Sequence, residues 1–157
     1  MTQDIGKRKA DHIDLAVSGD VGFRNKTTLF ECIRFVHDAL PELHADAIDT
    51  RTRLLGKPLS APIVIAAMTG GTPDAGRINR SLAAIAEKRG YGFGLGSQRA
   101  MHVDPAKSDT FRVREAAPSA LVLGNVGIVQ ARAMSTDEVV ALVRAVGADA
   151  LCVHLNP

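Results

Sequence analysis

The chain reads as an α/β protein, a parallel (β/α)8 TIM-barrel type with about four βα units, preceded by an N-terminal extension over residues 1–60. Three observations predict this. From Pro62 to Ala67 the chain is apolar without charge or alternation, the pattern of a parallel strand covered on both faces. Strand centres then fall at Ile65, Leu95, Leu123 and Val153, spacings of 30, 28 and 30 residues, each long enough for a strand, a turn, a helix and a turn. Polar residues gather where each strand ends: Thr69; Ser97, Gln98 and Arg99; Asn125; His154 and Asn156. In a closed barrel such ends meet at one mouth, where the chemistry sits.

A doubly wound sheet also puts its sites at strand ends. Here no Gly-x-Gly-x-x-Gly opens the helix after the first strand, and Gly92, Gly94 and Gly96 fall inside a strand, so the dinucleotide fingerprint is not met. A complete barrel takes about 250 residues and eight strands. With 157 residues and four strands, a half-barrel with two open edges is expected over 61–157, one that is not a complete enzyme alone.

Composition is that of a globular domain, 46% apolar and 23% charged. Nineteen Lys and Arg against 17 Asp and Glu leave a net charge of +2, and aromatics are only 4%, so the basic, aromatic-interleaved face of a nucleic-acid binder is not expected. No run approaches 18 apolar residues and the N-terminus has no apolar leader core, which argues against a membrane partner. Cys32 and Cys152 lie 120 residues apart and make no disulfide framework, so the reducing cytoplasm is the expected compartment.

Along the chain, Lys7, Arg8 and Lys9 form a basic cluster that fits either a solvated arm or a diphosphate clamp. Residues 11–17 pattern as a short amphipathic helix ending near Gly19. The segment 23–43 has no clean periodicity, and 29–36 fits a strand as well as a helix until Pro41 breaks it. Residues 48–59 read as short strand pieces leading through Gly56, Lys57 and Pro58 into the first core strand, antiparallel pieces of the kind that plug the bottom of a barrel.

After the first strand, Met68, Thr69, Gly70 and Gly71 offer backbone N–H groups, a hydroxyl and no bulk. That suits either a plain βα turn or the close approach of a flat ligand. Ile78, Leu82, Ile85 and Ala86 then stripe a helix that stops at Gly90. In the second strand Gly92, Gly94 and Gly96 alternate with Tyr91, Phe93 and Leu95, leaving one face bare for either a packed neighbour or a flavin or substrate. Asp104 and Pro105 open a helix running toward Pro118. A third strand spans 121–128. Ser135 and Glu138 form a capping box for a helix striped by Val139, Leu142, Val143 and Val146, which Gly147 ends before a fourth strand over 150–157.

Five motifs in order resemble the type 2 isopentenyl diphosphate isomerases, flavoproteins of the FMN-dependent (β/α)8 group: Arg8-Lys9-Ala10-Asp11-His12, Ala67-Met68-Thr69-Gly70-Gly71, Gly94-Leu95-Gly96-Ser97-Gln98-Arg99, Asn125-Val126-Gly127 and His154-Leu155-Asn156-Pro157. The resemblance implies interconversion of isopentenyl diphosphate and dimethylallyl diphosphate by a cytoplasmic homo-oligomer, with reduced FMN, NADPH to reduce it, and Mg²⁺. It assigns Ala67, Met68, Thr69, Ser97 and Asn125 to the flavin, and Arg8, Lys9, Ser97, Gln98 and Arg99 to the substrate diphosphate. His154 matches a histidine near the reacting carbons. No metal ligand is assigned within this chain: the Glu that holds Mg²⁺ in the family follows the His-Leu-Asn-Pro motif. The flavin-contacting Lys and phosphate loops come later still.

Protonating an unactivated alkene generates a tertiary cation, so such a site needs a strong acid beside an electron-rich surface, sheltered from water. A neutral-range imidazole is too weak an acid for that step, which leaves His154 a positioning role. The same strand ends would also serve another FMN-dependent barrel oxidoreductase, which would not need Arg8 and Lys9, or an inactive truncated fragment.

Overall fold

Four parallel strands organise the structure in sequence order: β3 (Val64–Ile65), β4 (Gly92–Gly94), β5 (Val122–Gly127) and β6 (Ala150–His154). This computed structural model describes residues 5–155, apart from the side chains of residues 5, 6, 8 and 9. Val64 lies opposite Gly92, Phe93 opposite Val122, and Leu123 to Gly127 opposite Ala150 to His154. Each new strand therefore adds to the previous one through a helical connection, leaving β3 and β6 as edges. The C-terminal ends of all four strands point the same way.

Local chemistry accounts for the helices between them. Helix α2 (Pro73–Arg89) starts where the Thr72 hydroxyl accepts from Ala75 N at 3.2 Å and Pro73 presets the first turn. It stops at Gly90, whose φ of 67° is left-handed. Helix α5 (Thr136–Val146) carries the complete Ser135–Glu138 capping box and stops at Gly147 with φ 63°. Leu142 and Val146 are buried, as its stripe predicts. The core joins these to Phe93, Leu95, Phe111, Val113 and Val122, and each such side chain contributes about 1.5–3 kcal/mol on burial.

Several expectations need correction. The first strand is shorter and less covered than read: β3 is two residues long and half-buried, and Ile63 just before it is 43% exposed. The stripe of α2 is rotated. Ile78 and Ile85 are 36% and 49% exposed, and the packed face is Ala75, Asn79, Ala83 and Ala86. The small residues lie inward because the helix sits close: a methyl on Gly76 would come within 3.1 Å of Thr110 Cα. The helix expected from Asp104 toward Pro118 is a 3-10 helix, Pro105–Phe111, preceded by a separate short helix α3 (Arg99–Val103). Asp104 still caps it, accepting from Ala106 N at 3.1 Å, but the turn ends early as Phe111 drops into the core.

The bare face of β4 also has its occupant. A Cβ on Gly94 would lie 3.0 Å from Ala67 N, one on Gly96 2.3 Å from Thr69 O, and one on Gly92 3.0 Å from Val64 Cγ2. The chain continuing from β3 folds over these glycines, so their face is packed by protein and is not a ligand surface.

In the N-terminal extension, α1 (Ile5–Ser18) includes the expected 11–17 helix and starts earlier. Between 29 and 36 there is neither strand nor α-helix, only the 3-10 turn Phe30–Cys32, and Phe35 and Val36 lie exposed. The short antiparallel pieces expected over 48–59 narrow to one hairpin, β1 (Thr52–Leu54) to β2 (Lys57–Leu59), with Leu55 and Gly56 both at positive φ in its two-residue turn, so Lys57 and Pro58 lie in a strand and not in the connection to the first core strand. It buries Leu59 and joins the sheet where the strands begin, through Ser60 N to Gly90 O at 2.8 Å.

Candidate functional site

The strand ends form one rim, tied neighbour to neighbour by the backbone. Gly96 N donates to Thr69 O at 3.2 Å, Gln98 N to Asn125 O at 2.8 Å, and Gly127 pairs with His154. The sheet thus brings Thr69, Ser97, Asn125 and His154 to one edge in order.

Thr69 is 4% exposed and its loop is tied to neighbouring elements by hydrogen bonds. Asn79 Nδ2, reaching from α2, donates to Thr69 O at 3.2 Å and to Thr110 O at 3.0 Å. Gly71 N donates to Thr110 Oγ1 at 2.8 Å, and that hydroxyl donates to Lys107 O at 2.7 Å. Gly70 is filled by Phe111 and Gly71 adopts φ 89°, so both glycines answer to packing and backbone geometry. One group is left over. Thr69 Oγ1 is buried without a hydrogen-bond partner among the described residues, a condition that costs about 1–3 kcal/mol unless a ligand satisfies it. Ala67 and Met68 beside it are exposed, Met68 by 64%.

At the far end of the rim His154 Nδ1 is the second buried atom without a partner. Its ring packs on Gly127, where an added Cβ would lie 3.0 Å from His154 Cε1 and 3.1 Å from Nε2. Between them Asn125 is 6% exposed, while Ser97 and Arg99 are half-buried.

Gln98, which the resemblance assigns to the substrate diphosphate, is turned into the protein. Its side chain is fully buried, its Oε1 accepts from Asn125 N at 3.1 Å, and its Nε2 donates to Leu142 O at 2.9 Å. Both ends of the amide are taken by the chain itself. The side chains of Arg8 and Lys9, and Asn156 with Pro157, lie outside the described residues. Asn79, Thr110 and Phe111 went unnoticed in the sequence. Only Asn79 left a signal, as a lone polar residue four positions from both Ala75 and Ala83.

The opposite end of the sheet carries charge. Arg114 donates from Nη2 to Asp149 at 2.6 Å, from Nη1 to Ala117 O and Ala120 O at 3.1 and 2.8 Å, and from Nε to Gly147 O at 2.6 Å. Lys57 Nζ lies 3.3 Å from Asp149, and Val122 N donates to Asp149 at 2.9 Å. Burial pushes the Asp149 carboxyl up, but Val122 N–H, Arg114 and Lys57 outweigh it and hold the group below the usual range. Glu87 is likewise lowered, chiefly by the Ser119 hydroxyl. This end is scaffolding. Two surface depressions of ≈ 490 and ≈ 530 Å³, one beside Arg112 and Arg114 and one beside Arg51 and Ser119, include none of the rim residues Thr69, Ser97, Asn125 and His154; the unpaired buried atoms mark the site more sharply than concavity does. Among the described residues no helix is long and apolar enough to cross a membrane, and no three His, Cys, Asp or Glu gather as a metal site.

A parallel α/β sheet whose strand ends form a polar rim defines the class, and the family model described as FMN-dependent dehydrogenase matches residues 1–156: the chain belongs to that family. The relatives are more particular. It is 45% identical to an isopentenyl-diphosphate delta-isomerase of Methanosarcina acetivorans over 157 residues, 99% of this chain and 43% of that protein. Proteins of the same name from Methanococcoides burtonii and Rickettsia bellii are each 46% identical over 151 residues, 96% of this chain and 42% and 44% of theirs. The chain thus spans less than half the length of these relatives. FMN, which the family's description implies, fits the rim on chemical grounds: a buried hydroxyl awaits a polar partner beside the exposed Ala67 and Met68.

Proposed function

We propose that this chain supplies the flavin- and substrate-facing rim of an isomerase that interconverts isopentenyl diphosphate and dimethylallyl diphosphate, its four strands forming half of a (β/α)8 barrel. The observation that carries this reading is the pair of unsatisfied buried atoms, Thr69 Oγ1 and His154 Nδ1, at the first and last strand ends of one rim. Identity of about 45% to proteins named as that isomerase supplies the reaction.

Reduced FMN, when bound, provides an electron-rich surface beside the alkene and a group able to exchange its proton. Thr69 offers its hydroxyl and Asn125 its carboxamide to that cofactor, with Ala67, Met68 and Ser97 lining the approach. Arg8 and Lys9, with Ser97 and Arg99, hold the diphosphate by charge and hydrogen bonds and keep the alkene oriented. Gln98 is left out of this set. His154 positions substrate or flavin through Nδ1 and does not serve as the acid. One proton is added at one carbon and another lost two carbons away, so there is no net redox change. NADPH would serve to keep the flavin reduced. Mg²⁺ would accompany the diphosphate, and as the described residues offer it no cluster of ligands, no step is assigned to it. A cytoplasmic homo-oligomer belongs to the same reading.

The test is an assay of the purified chain with reduced FMN, Mg²⁺ and isopentenyl diphosphate, following dimethylallyl diphosphate by NMR beside a flavin absorbance titration. Flavin binding with product formation supports the proposal. Flavin binding with oxidation of a 2-hydroxy acid, unaffected by Arg8→Ala with Lys9→Ala, would replace it with the oxidoreductase reading. Absence of both would leave this chain a non-catalytic piece.

A further inference from the structure

Four polar side chains are buried among the described residues: Thr69 at 4%, Asn79 at 3%, Gln98 at 0% and Asn125 at 6%. Two, Thr69 and Asn125, stand at strand ends on the rim. The other two are carboxamides, and each is bonded to the backbone of one of those ends. We infer that Asn79 and Gln98 are positioning residues that fix Thr69 and Asn125 against the helix layer, so that the groups facing the flavin are held before it arrives; the inference rests on the flavin-site reading above.

The geometry is complementary on the two sides. Asn79 gives both its donated bonds to carbonyls, Thr69 O at 3.2 Å and Thr110 O at 3.0 Å, tying the loop after β3 to α2 and to the 3-10 helix. Gln98 closes a ring with Asn125, its N–H donating to Asn125 O at 2.8 Å and its Oε1 accepting from Asn125 N at 3.1 Å. Its remaining donor goes to Leu142 O of α5 at 2.9 Å, 44 residues away in sequence.

Space has been left for this arrangement: a Cβ on Gly124 would fall 2.6 Å from Gln98 Oε1. An apolar side chain would fill either position without the desolvation of an amide. What an apolar side chain lacks is the ability to hold a strand end by its backbone while leaving that end's own side chain free. Thr69 Oγ1 is left free in this way. Preorganised donors of this kind bind without reorganising when the ligand arrives.

The test uses three variants of the full chain: Gln98→Met, Asn79→Ala and, as a control for ordinary core loss, Val146→Ala, at the C-terminal end of α5 beside Gly147 and Arg114. Amide hydrogen exchange without ligand is read first, then FMN affinity and the visible band of bound flavin. Gln98→Met is expected to speed exchange at the Asn125 amide about tenfold, one hydrogen bond's worth, and Asn79→Ala, by releasing the Thr69 and Thr110 backbone, to speed that at Gly71, whose amide bonds Thr110 Oγ1. Both should weaken FMN about tenfold and shift its band, whereas Val146→Ala lowers Tm with affinity and band unchanged. If the two carboxamide variants lower Tm like the control but leave exchange at Asn125 and Gly71, FMN affinity and the band as in the wild type, the inference is overturned. Should the wild type bind no FMN, the flavin reading fails separately, and local exchange alone then supports or overturns the holding role.

Discussion

Phe111 lies against the Cα of Gly70 so closely that a methyl group added there would come within 2.1 Å of its Cε1. The ring is fully buried, and Gly70 is not among the positive-φ residues, so steric fit alone demands the glycine. Gly70→Ala is expected to destabilise the chain by about 1–3 kcal/mol in urea denaturation, the range for an overpacked core. Gly22→Ala, whose nearest neighbour would be an Asp20 carboxylate oxygen at 3.5 Å, serves as the neutral control. Equal midpoints for the two variants would refute the packing argument.

Thr69→Val separates a site residue from a structural one. The hydroxyl it removes is buried and has no partner, so the ligand-free chain should be as stable as the wild type or more so, because an isosteric methyl ends the desolvation cost. Affinity for FMN should fall. A stability loss above about 1 kcal/mol would mean that the hydroxyl has a protein partner after all.

In a full-length relative, replacing the histidine that corresponds to His154 by Ala should lower turnover while flavin binding persists, since its ring is assigned to positioning. Loss of flavin binding, read by absorbance titration, would move His154 into the cofactor site itself.

Acid should loosen the opposite end of the sheet. Asp149 is held below the usual carboxylate range in the folded chain, so its contribution is complete above the unfolded value of about 4 and is lost as pH falls through the lower folded value. Calorimetry should find Tm falling below about pH 4. Asp149→Asn should be less stable at pH 7 and flatter in acid, because Arg114 and Lys57 have already lost their shared carboxylate. Parallel pH curves for the two proteins would contradict this.

Ser135→Ala removes the hydroxyl that accepts from Glu138 N at 3.3 Å and half of the capping box. The expected loss is about 1 kcal/mol, read as a lower urea midpoint with unchanged slope.

Much of this was legible in the chain itself. Helix caps at Asp104 and Ser135 and stops at Gly90 and Gly147 depend on groups a few residues apart, and they form as read, whereas the cap at Thr72 emerged only in the structure. The strand spacing and the rim order followed from contiguous runs of residues. Reading failed where a neighbour distant in sequence decides burial. The inward face of α2 is chosen by a closely packed partner at Thr110, which accepts only small residues, so Ile78 and Ile85 turn outward against their hydrophobicity.

What the sequence determined by itself, then, is the succession of units and the identity of the polar strand ends, because hydrogen bonds within a turn and runs of one polarity are local properties. Only the tertiary structure sorted those polar residues. It turned Gln98 inward to Leu142 and Asn79 to Thr110, across 44 and 31 residues, and left Thr69 Oγ1 and His154 Nδ1 without partners. Whether an amide is a ligand or a strut depends on which backbone the fold lays beside it, and no spacing along a chain encodes that distance.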